Sequence, residues 1–260
     1  MRCALIVMIG TGLTGLRARP VVRRWWSNCK RGRFNLSPEK PLDQLIPPPD
    51  LVLERIESMR ENLKARSGGR TKLLPVTKAF PIEAVSAALA AGIEEVGENY
   101  AQELLEKNRQ LPEGRVIWHM IGRLQRNKVR RLAGVVGLWQ TVDRSSLIDE
   151  IAKWNAGTKI LVQVDPLESA GKGGCPPSEV EALVTRGVEA GLNVVGLMTV
   201  GAAGDPTGTA YSFKVLAGLA DRLGLPERSM GMTDDVEMAV DMGSTLVRVG
   251  RAIFGERRAL

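Results

Sequence analysis

The feature that most constrains this sequence is a strict alternation of short apolar segments with segments of helical periodicity. Eight apolar segments follow residue 70, and one helical pattern separates each from the next. The predicted strands are residues 72–77, 95–97, 116–121, 135–142, 159–164, 193–200, 228–230 and 245–249. Alternation with short loops indicates a parallel sheet, and eight such units are typical of a barrel. We therefore predict an α/β fold, a single-domain (β/α)8 TIM barrel. A doubly wound open sheet has the same local pattern and is the alternative.

A further helix is predicted ahead of the first strand. Apolar side chains at Val52, Ile56, Met59 and Leu63 recur at helical spacing, and Asp50 can cap the helix that they define. We therefore place the barrel domain at residues 50–258.

The segment before the barrel has a different composition. Residues 1–36 hold eight of the 36 basic side chains and none of the 29 acidic ones, so the rest of the chain is close to neutral despite a net charge of +7. An arginine-rich, acid-free N-terminus is typical of an organelle targeting segment. We predict a disordered basic targeting arm over residues 1–36, and a proline-rich linker over residues 37–49. The mitochondrion is the favoured destination. The alternatives are the plastid, and the cytoplasm if the arm is only a basic tail.

Several classes of protein are disfavoured by composition. Three cysteines are too few for a disulfide framework, which favours a reducing compartment. His119 is the only histidine and the cysteines are far apart, so no metal site is expected. The longest uncharged apolar stretch, residues 3–16, is shorter than the roughly 20 residues of a membrane-spanning helix. We expect no membrane partner and, because the body is near neutral, no nucleic-acid partner.

A lysine follows the first predicted strand. Barrel active sites lie at the carboxyl ends of the strands, so Lys78 is expected at the mouth of the barrel. Partial desolvation there lowers the pKa of an amine, which favours Schiff-base formation. A solvated surface lysine is the alternative interpretation.

A second candidate site follows the seventh predicted strand. Residues 229–233 place a glycine between hydroxyl side chains and precede a helix predicted to start near Asp234. Backbone N–H groups at such a position favour an anion, and the loops after strands seven and eight commonly bind phosphate in barrels. N-capping by Thr233 or Asp234 is a compatible interpretation. A lysine and a phosphate cup together suggest pyridoxal 5′-phosphate (PLP), with Arg248 as the partner of the ring nitrogen.

Six segments resemble one known family. In order along residues 50–257, segments 75–78, 97–100, 118–128, 196–199, 229–235 and 248–255 are similar to those of the pyridoxal phosphate homeostasis proteins. The resemblance implies one barrel similar to the cofactor domain of alanine racemase. It also implies roles for seven residues: Schiff-base formation by Lys78, contact with the ring by Asn99, with the ring nitrogen by Arg248, and with the phosphate by Ser229, Gly231, Thr233 and Gly250.

The pattern departs from the family at three places. Thr77 stands where serine is usual, residues 79–81 lack the usual Lys-Pro, and Arg251 replaces a hydroxyl residue beside the phosphate. An arginine can still pair with a phosphate, so the role of Arg251 stays open. The role of His119 is open too, between a site residue and a core histidine.

The resemblance implies a PLP-binding protein of intracellular PLP and vitamin B6 homeostasis, with little or no catalysis. The sequence ends shortly after Gly255, where resembling racemases continue into a domain that supplies a second acid/base, and an arginine at the ring nitrogen weakens the ring as an electron sink. The alternatives are a racemase or decarboxylase completed by a partner subunit, and a nucleic-acid binder acting through the arm. The expected partners are PLP and PLP-dependent apo-enzymes, and the expected state is a monomer or weak dimer.

Overall fold

Eight parallel strands form a single sheet in the computed structural model, which describes residues 46–169 and 171–256. The strands are β1 Lys72–Pro75, β2 Glu95–Glu98, β3 Ile117–Met120, β4 Val136–Val142, β5 Lys159–Gln163, β6 Asn193–Met198, β7 Glu227–Ser229 and β8 Leu246–Val249. Each strand from β2 to β8 pairs with its neighbours in sequence, and β8 also pairs with β1. All eight predicted strands are present, most of them one or two residues shorter than predicted.

The sheet closes between β1 and β2. An isolated parallel bridge joins Val76 to Gly97, and the Thr77 N–H donates to the Gly97 carbonyl oxygen at 3.0 Å. A Cβ atom on Gly97 would lie 3.1 Å from the Ile121 side chain and 3.2 Å from that of Leu74. Glycine therefore lets the two edges meet. The prediction of a (β/α)8 barrel is confirmed, and the open doubly wound sheet is excluded.

One helix precedes β1, and a helix follows each of the eight strands. They are α1 Pro49–Ser67, α2 Ile82–Ala90, α3 Ala101–Arg109, α4 Arg126–Leu132, α5 Ser145–Trp154, α6 Val180–Glu189, α7 Pro206–Arg222, α8 Val236–Asp241 and α9 Arg251–Phe254. In α1 the predicted face is inward, since Val52, Ile56 and Leu63 are buried. In α6 the apolar pattern predicts Val180, Leu183, Val184 and Val188 on the inner face, which is wrong for Val188: it lies near the helix end and is 60% exposed. None of the described helices is both long and apolar enough to cross a membrane.

The barrel interior carries polar side chains. Successive side chains in a strand point to opposite faces. Trp118 in β3 donates its indole N–H to Asn108 of α3, so it faces the helices. His119, the next residue, therefore faces the interior, and its ring contacts Gln140 of β4 there. The predicted arm over residues 1–36, and the linker as far as residue 45, lie outside the described residues.

Candidate functional site

Lys78 lies in a tight turn just after β1. The Phe80 N–H closes this turn on the Thr77 carbonyl oxygen at 3.0 Å, and Lys78 is half-buried. The next residue, Ala79, has a φ of 60°, a left-handed conformation that is unfavourable for alanine. Its N–H donates to Glu103 Oε2 of α3 at 2.9 Å, which holds the turn in that conformation. Lys78 is thus at the carboxyl end of β1, as predicted.

A buried ion pair lies behind the Lys78 turn. Lys107 of α3 donates from Nζ to the Thr77 carbonyl oxygen at 2.7 Å and makes a short contact with Glu98 Oε1. Thr77 Oγ1 donates to the same carboxylate oxygen at 2.8 Å. Burial raises the pKa of Glu98, although Lys107 and Thr77 act in the opposite direction. The pair ties the turn to α3 and to the end of β2.

The sequence pattern did not indicate Lys107 and Glu103 as residues of the site. Glu103 precedes Leu104, a buried residue of α3, and its spacing of four residues from Lys107, which is also buried, places the two on one face. A lysine beside the apolar stripe was the available signal. Its acceptors, however, come from residues at the ends of β1 and β2, which the pattern of the helix does not reveal.

Asn99 lies at the same end of the barrel as Lys78. Val76 and Gly97 are bridged, and Lys78 follows Val76 by two residues while Asn99 follows Gly97 by two. A Cβ atom on Gly122, which follows β3, would lie 2.0 Å from the Asn99 carbonyl oxygen. The close approach requires glycine at residue 122 and fixes the backbone of Asn99.

Arg248 is buried in β8. Its Nη1 donates to Ser229 Oγ at 2.7 Å and its Nη2 to the Thr199 carbonyl oxygen at 2.8 Å. Burial lowers the pKa of Arg248 to about 10, while the Asp235 carboxylate acts in the opposite direction. Burial also raises the pKa of Asp235. Arg248 therefore keeps its charge at neutral pH and is held by two strand ends.

The predicted phosphate cup lies at the ends of β7 and β8. We use the name phosphate cup for four residues at these ends: Ser229, Gly231, Thr233 and Gly250. Gly231 has a φ of 100°, and a Cβ atom there would lie 2.5 Å from Ala239 Cβ of α8. Its carbonyl oxygen accepts from the Arg248 N–H at 2.9 Å. The cup backbone is thus held between α8 and β8.

The local structure of the cup differs from prediction in two respects. The helix α8 begins at Val236 with Asp235 as its N-cap residue, so N-capping by Thr233 or Asp234 is wrong. Residues 233–235 form a turn instead, in which the Asp235 carboxylate accepts from the Met232 N–H. That amide is therefore not available to an anion.

Arg251 lies beside the cup and is exposed. Its Nη2 donates to Asp234 Oδ2 at 2.5 Å, and both side chains face solvent. The guanidinium thus has a carboxylate partner in this structure.

His119 lies deeper in the barrel than the cup. Gln140 Nε2 is 2.8 Å from His119 Nδ1, and Glu95 Oε2 is 3.5 Å from His119 Nε2. Burial lowers the pKa of His119 to about 3, and the positive charges of Lys72 and Lys159 add to this effect. Both lysines, like Glu95, are the first residues of their strands. The ring therefore lies toward the amino end of the barrel, as a neutral core histidine would.

We expect His119 to make folding pH-dependent. Its pKa is 6.5 when unfolded and about 3 when folded, so between these values only the unfolded chain binds the proton. The free energy of unfolding should fall as pH falls below 6.5, with a slope approaching about 1.4 kcal/mol per pH unit for this one proton. Urea unfolding from pH 7 to pH 5 measures the slope. His119→Asn keeps an acceptor near the position of Nδ1 and should lose the part of the slope that His119 contributes. Equal slopes in the variant and the unaltered protein would contradict the lowered pKa of His119.

We expect Gly231→Ala to destabilise the protein and distort the cup. The new methyl would meet Ala239 at a backbone angle that alanine rarely adopts, and overpacking of this kind costs about 1–3 kcal/mol. Gly218→Ala is the control, because Gly218 lies in α7 with open space at its Cβ position. Thermal unfolding of both variants checks the prediction. Equal stabilities of the two variants would show that the cup backbone tolerates a side chain.

Comparison with known proteins defines the class. The family model "Alanine racemase, N-terminal domain" matches residues 52–258. The chain is therefore a barrel protein of the alanine racemase N-terminal domain class. An alanine racemase of Clostridium difficile has the same fold, with a TM-score of 0.63 at 15% identity over 80% of this chain and 58% of that one.

More similar relatives define the particular family. The chain is 37% identical over 219 residues to the pyridoxal phosphate homeostasis protein of Aquifex aeolicus, covering 80% of this chain and 96% of the relative. It is 38% identical over 213 residues to the protein of that name in Homo sapiens, covering 72% of this chain and 76% of the relative. The chain belongs to the pyridoxal phosphate homeostasis protein family. The solved structure of PipY from Synechococcus elongatus, with PLP bound, has a TM-score of 0.68 at 30% identity, covering 78% of this chain and all of that one.

Proposed function

We propose that this protein binds PLP as a Schiff base on Lys78 and serves intracellular PLP homeostasis as a carrier or buffer. The observation that carries the proposal is the grouping of an amine, a buried guanidinium and a glycine-containing cup. The amine of Lys78 follows β1, the guanidinium of Arg248 lies in β8, and the cup lies at the ends of β7 and β8. An aldehyde, a ring nitrogen and a phosphate are the three parts of PLP that such groups would hold. The PLP-bound structure of PipY supports the proposal.

The residues of the site fit this cofactor. A bound PLP supplies an aldehyde for Lys78 and a conjugated ring that can accept electrons. Gly231, Thr233 and Gly250 would hold the phosphate. The hydroxyl of Ser229 already contacts Gln140 and Arg248, so its contribution to the site would be made through Arg248. Asn99 would lie beside the ring.

We further propose that the protein has little or no catalytic activity. Arg248 keeps its own proton at neutral pH, since its pKa is about 10, so it would donate a hydrogen bond to the ring nitrogen without protonating it. A ring with an unprotonated nitrogen is a weaker electron sink. The names of the relatives in Aquifex aeolicus and Homo sapiens refer to PLP homeostasis and not to a reaction.

Spectroscopy and chemical trapping test the binding proposal. Titration of the purified protein with PLP should turn it yellow, and borohydride reduction should fix the cofactor to a peptide that contains Lys78. Mass spectrometry locates the modified residue. Modification of another lysine in place of Lys78 would contradict the proposal. Rapid deuterium exchange at the α-carbon of added amino acids would instead favour a racemase or decarboxylase.

The destination and the acceptor are also proposals. We propose that residues 1–36 direct the protein to the mitochondrion, on the basis of their eight basic and no acidic side chains. A fusion of these residues to a fluorescent protein tests this, and a diffuse cytoplasmic signal would contradict it. We propose PLP-dependent apo-enzymes as acceptors of the cofactor, which activation of an apo-enzyme by the yellow protein would test.

A further inference from the structure

A continuous chain of polar side chains crosses the barrel interior below the proposed cofactor site. We call it the interior relay, and its members are Glu95, His119, Gln140, Ser229 and Arg248. The distances are 2.7 Å from Arg248 Nη1 to Ser229 Oγ, 2.7 Å from Ser229 Oγ to Gln140 Oε1, and 2.8 Å from Gln140 Nε2 to His119 Nδ1. Four of the five side chains are buried; Glu95 is half-buried. The relay joins five strands, β2, β3, β4, β7 and β8.

The direction of every hydrogen bond in the relay follows from Arg248. A guanidinium has donors and no acceptor, so Ser229 Oγ must accept from it. The Ser229 hydroxyl proton is then directed to Gln140, whose carbonyl oxygen accepts it. This leaves the amide nitrogen of Gln140 facing His119 as a donor. The orientation of the Gln140 amide is therefore determined by chemistry.

The tautomer of His119 follows from the orientation of the Gln140 amide. Because Gln140 donates to Nδ1, that nitrogen must be unprotonated, and a neutral ring then carries its proton on Nε2. Nε2 faces the carboxylate of Glu95 at 3.5 Å, which is an acceptor. Each member of the relay thus has one arrangement of protons that satisfies its neighbours.

The relay also limits the orientations of the Arg248 guanidinium. Nη1 is committed to Ser229 of β7, and Nη2 to the carbonyl oxygen of Thr199, which follows β6. Ser229 can accept from Arg248 in this geometry because its own proton has an acceptor in Gln140. Without Gln140, the hydroxyl would be free to rotate, and the acceptor for Nη1 would no longer be fixed.

We propose that Gln140 and His119 are positioning residues for PLP, because the interior relay sets the orientation in which Arg248 meets the ring nitrogen. The inference rests on the proposed function. It assigns a role to two residues that do not touch the cofactor. Gln140 acts directly on the acceptor of Arg248, and His119 acts by fixing the amide of Gln140.

The single histidine allows a test that needs neither PLP nor a variant. Nitrogen NMR of protein labelled with ¹⁵N-histidine reports on His119 alone. The pattern expected for the PLP-free protein is that of a neutral ring protonated on Nε2. A ring protonated on Nδ1, or one that exchanges between tautomers, would overturn the relay. Gln140→Glu places only acceptors opposite Nδ1, so it should shift the proton to Nδ1 or charge the ring.

The positioning role is tested by PLP binding to a matched pair of variants. Gln140→Met removes both polar groups at similar length and would leave the Arg248 guanidinium misplaced. PLP binding should weaken about tenfold, the effect of losing the one hydrogen bond that this charged group would make to the ring nitrogen, and the visible absorbance maximum should shift. Trp139→Phe is the control. Trp139 is the neighbouring buried residue of β4, and its indole N–H has no hydrogen-bond partner among the described residues. It should bind PLP as the unaltered protein does.

The outcomes separate this inference from the proposed function. If the unaltered protein binds PLP on Lys78 and the Gln140→Met and Trp139→Phe variants match it in affinity and spectrum, only the positioning role is overturned. If the unaltered protein does not bind PLP, both the proposed function and the positioning role are wrong. The NMR result would then still show whether the hydrogen bonds of the interior relay are directed as described. Recovery of affinity in Gln140→Asn relative to Gln140→Met would support an amide-specific role, and equal loss in both would oppose it.

Discussion

Replacing Lys78 by alanine is expected to abolish the yellow colour and the borohydride-fixed cofactor completely. Alanine has no amine, so no covalent bond to the PLP aldehyde can form. The phosphate cup and Arg248 would remain, but PLP held only by noncovalent contacts would be removed by gel filtration. Absorbance spectra after gel filtration and intact mass after reduction measure the loss. The unfolding temperature should change little, because Lys78 is half-buried in a turn.

The control for this variant is another lysine near the loops of the barrel. Lys172 is exposed in the loop after β5, and Lys172→Ala should keep the colour. A Lys78→Ala protein that stays yellow after gel filtration would mean that PLP is attached elsewhere. Loss of colour in both variants would show that the effect does not belong to Lys78.

Replacing Lys107 by methionine is expected to have the largest effect on stability. Methionine preserves much of the side-chain length but leaves the Glu98 carboxylate buried without its cation. Removing one partner of a buried pair costs about 3–5 kcal/mol. The turn of Lys78 would also lose its contact between Lys107 and Thr77, so PLP binding should weaken as well. Urea unfolding at pH 7 measures the free energy.

Two comparisons isolate the cause. Adding Glu98→Gln to Lys107→Met removes the buried charge and should restore part of the lost stability. Arg186→Met breaks an ion pair with Asp149 in which both side chains are about half exposed, and exposed pairs contribute little. A loss in Lys107→Met as small as that in Arg186→Met would contradict the importance of the buried pair.

The fold could be predicted because its signal is local. Each apolar segment is long enough for a strand, and the strict alternation leaves few topologies. The ends of elements were less predictable, because long-range contacts decide them. At the start of α8, for example, the Asp235 carboxylate folds back onto the Met232 amide. Closure of the barrel brings the end of β1 against Gly97 of β2, a residue that an open sheet could also contain.

The candidate site was predictable in part. Lys78, Asn99, Arg248 and the phosphate cup follow from strand ends and from the resemblance, and their roles stay predictions. Lys107 and Gln140 were missed because their partners come from other segments. Gln140 had a visible signal, since it is a polar residue inside the apolar strand β4. Its link to His119 and Ser229 appears only when three strands are assembled.

The bridge between Val76 and Gly97 closes the barrel, and it lies close to the residues proposed to hold PLP. Lys78 and Asn99 each follow a partner of this bridge by two residues, so a ligand bonded to Lys78 with its ring beside Asn99 would span the join between β1 and β2. Opening such a join is a local event that hydrogen exchange detects. We expect the Thr77 amide, which bonds across it, to exchange more slowly with PLP bound. Bound PLP would hold the ends of β1 and β2 together, and the rate at which the bridge between Val76 and Gly97 opens would set how readily the protein releases PLP.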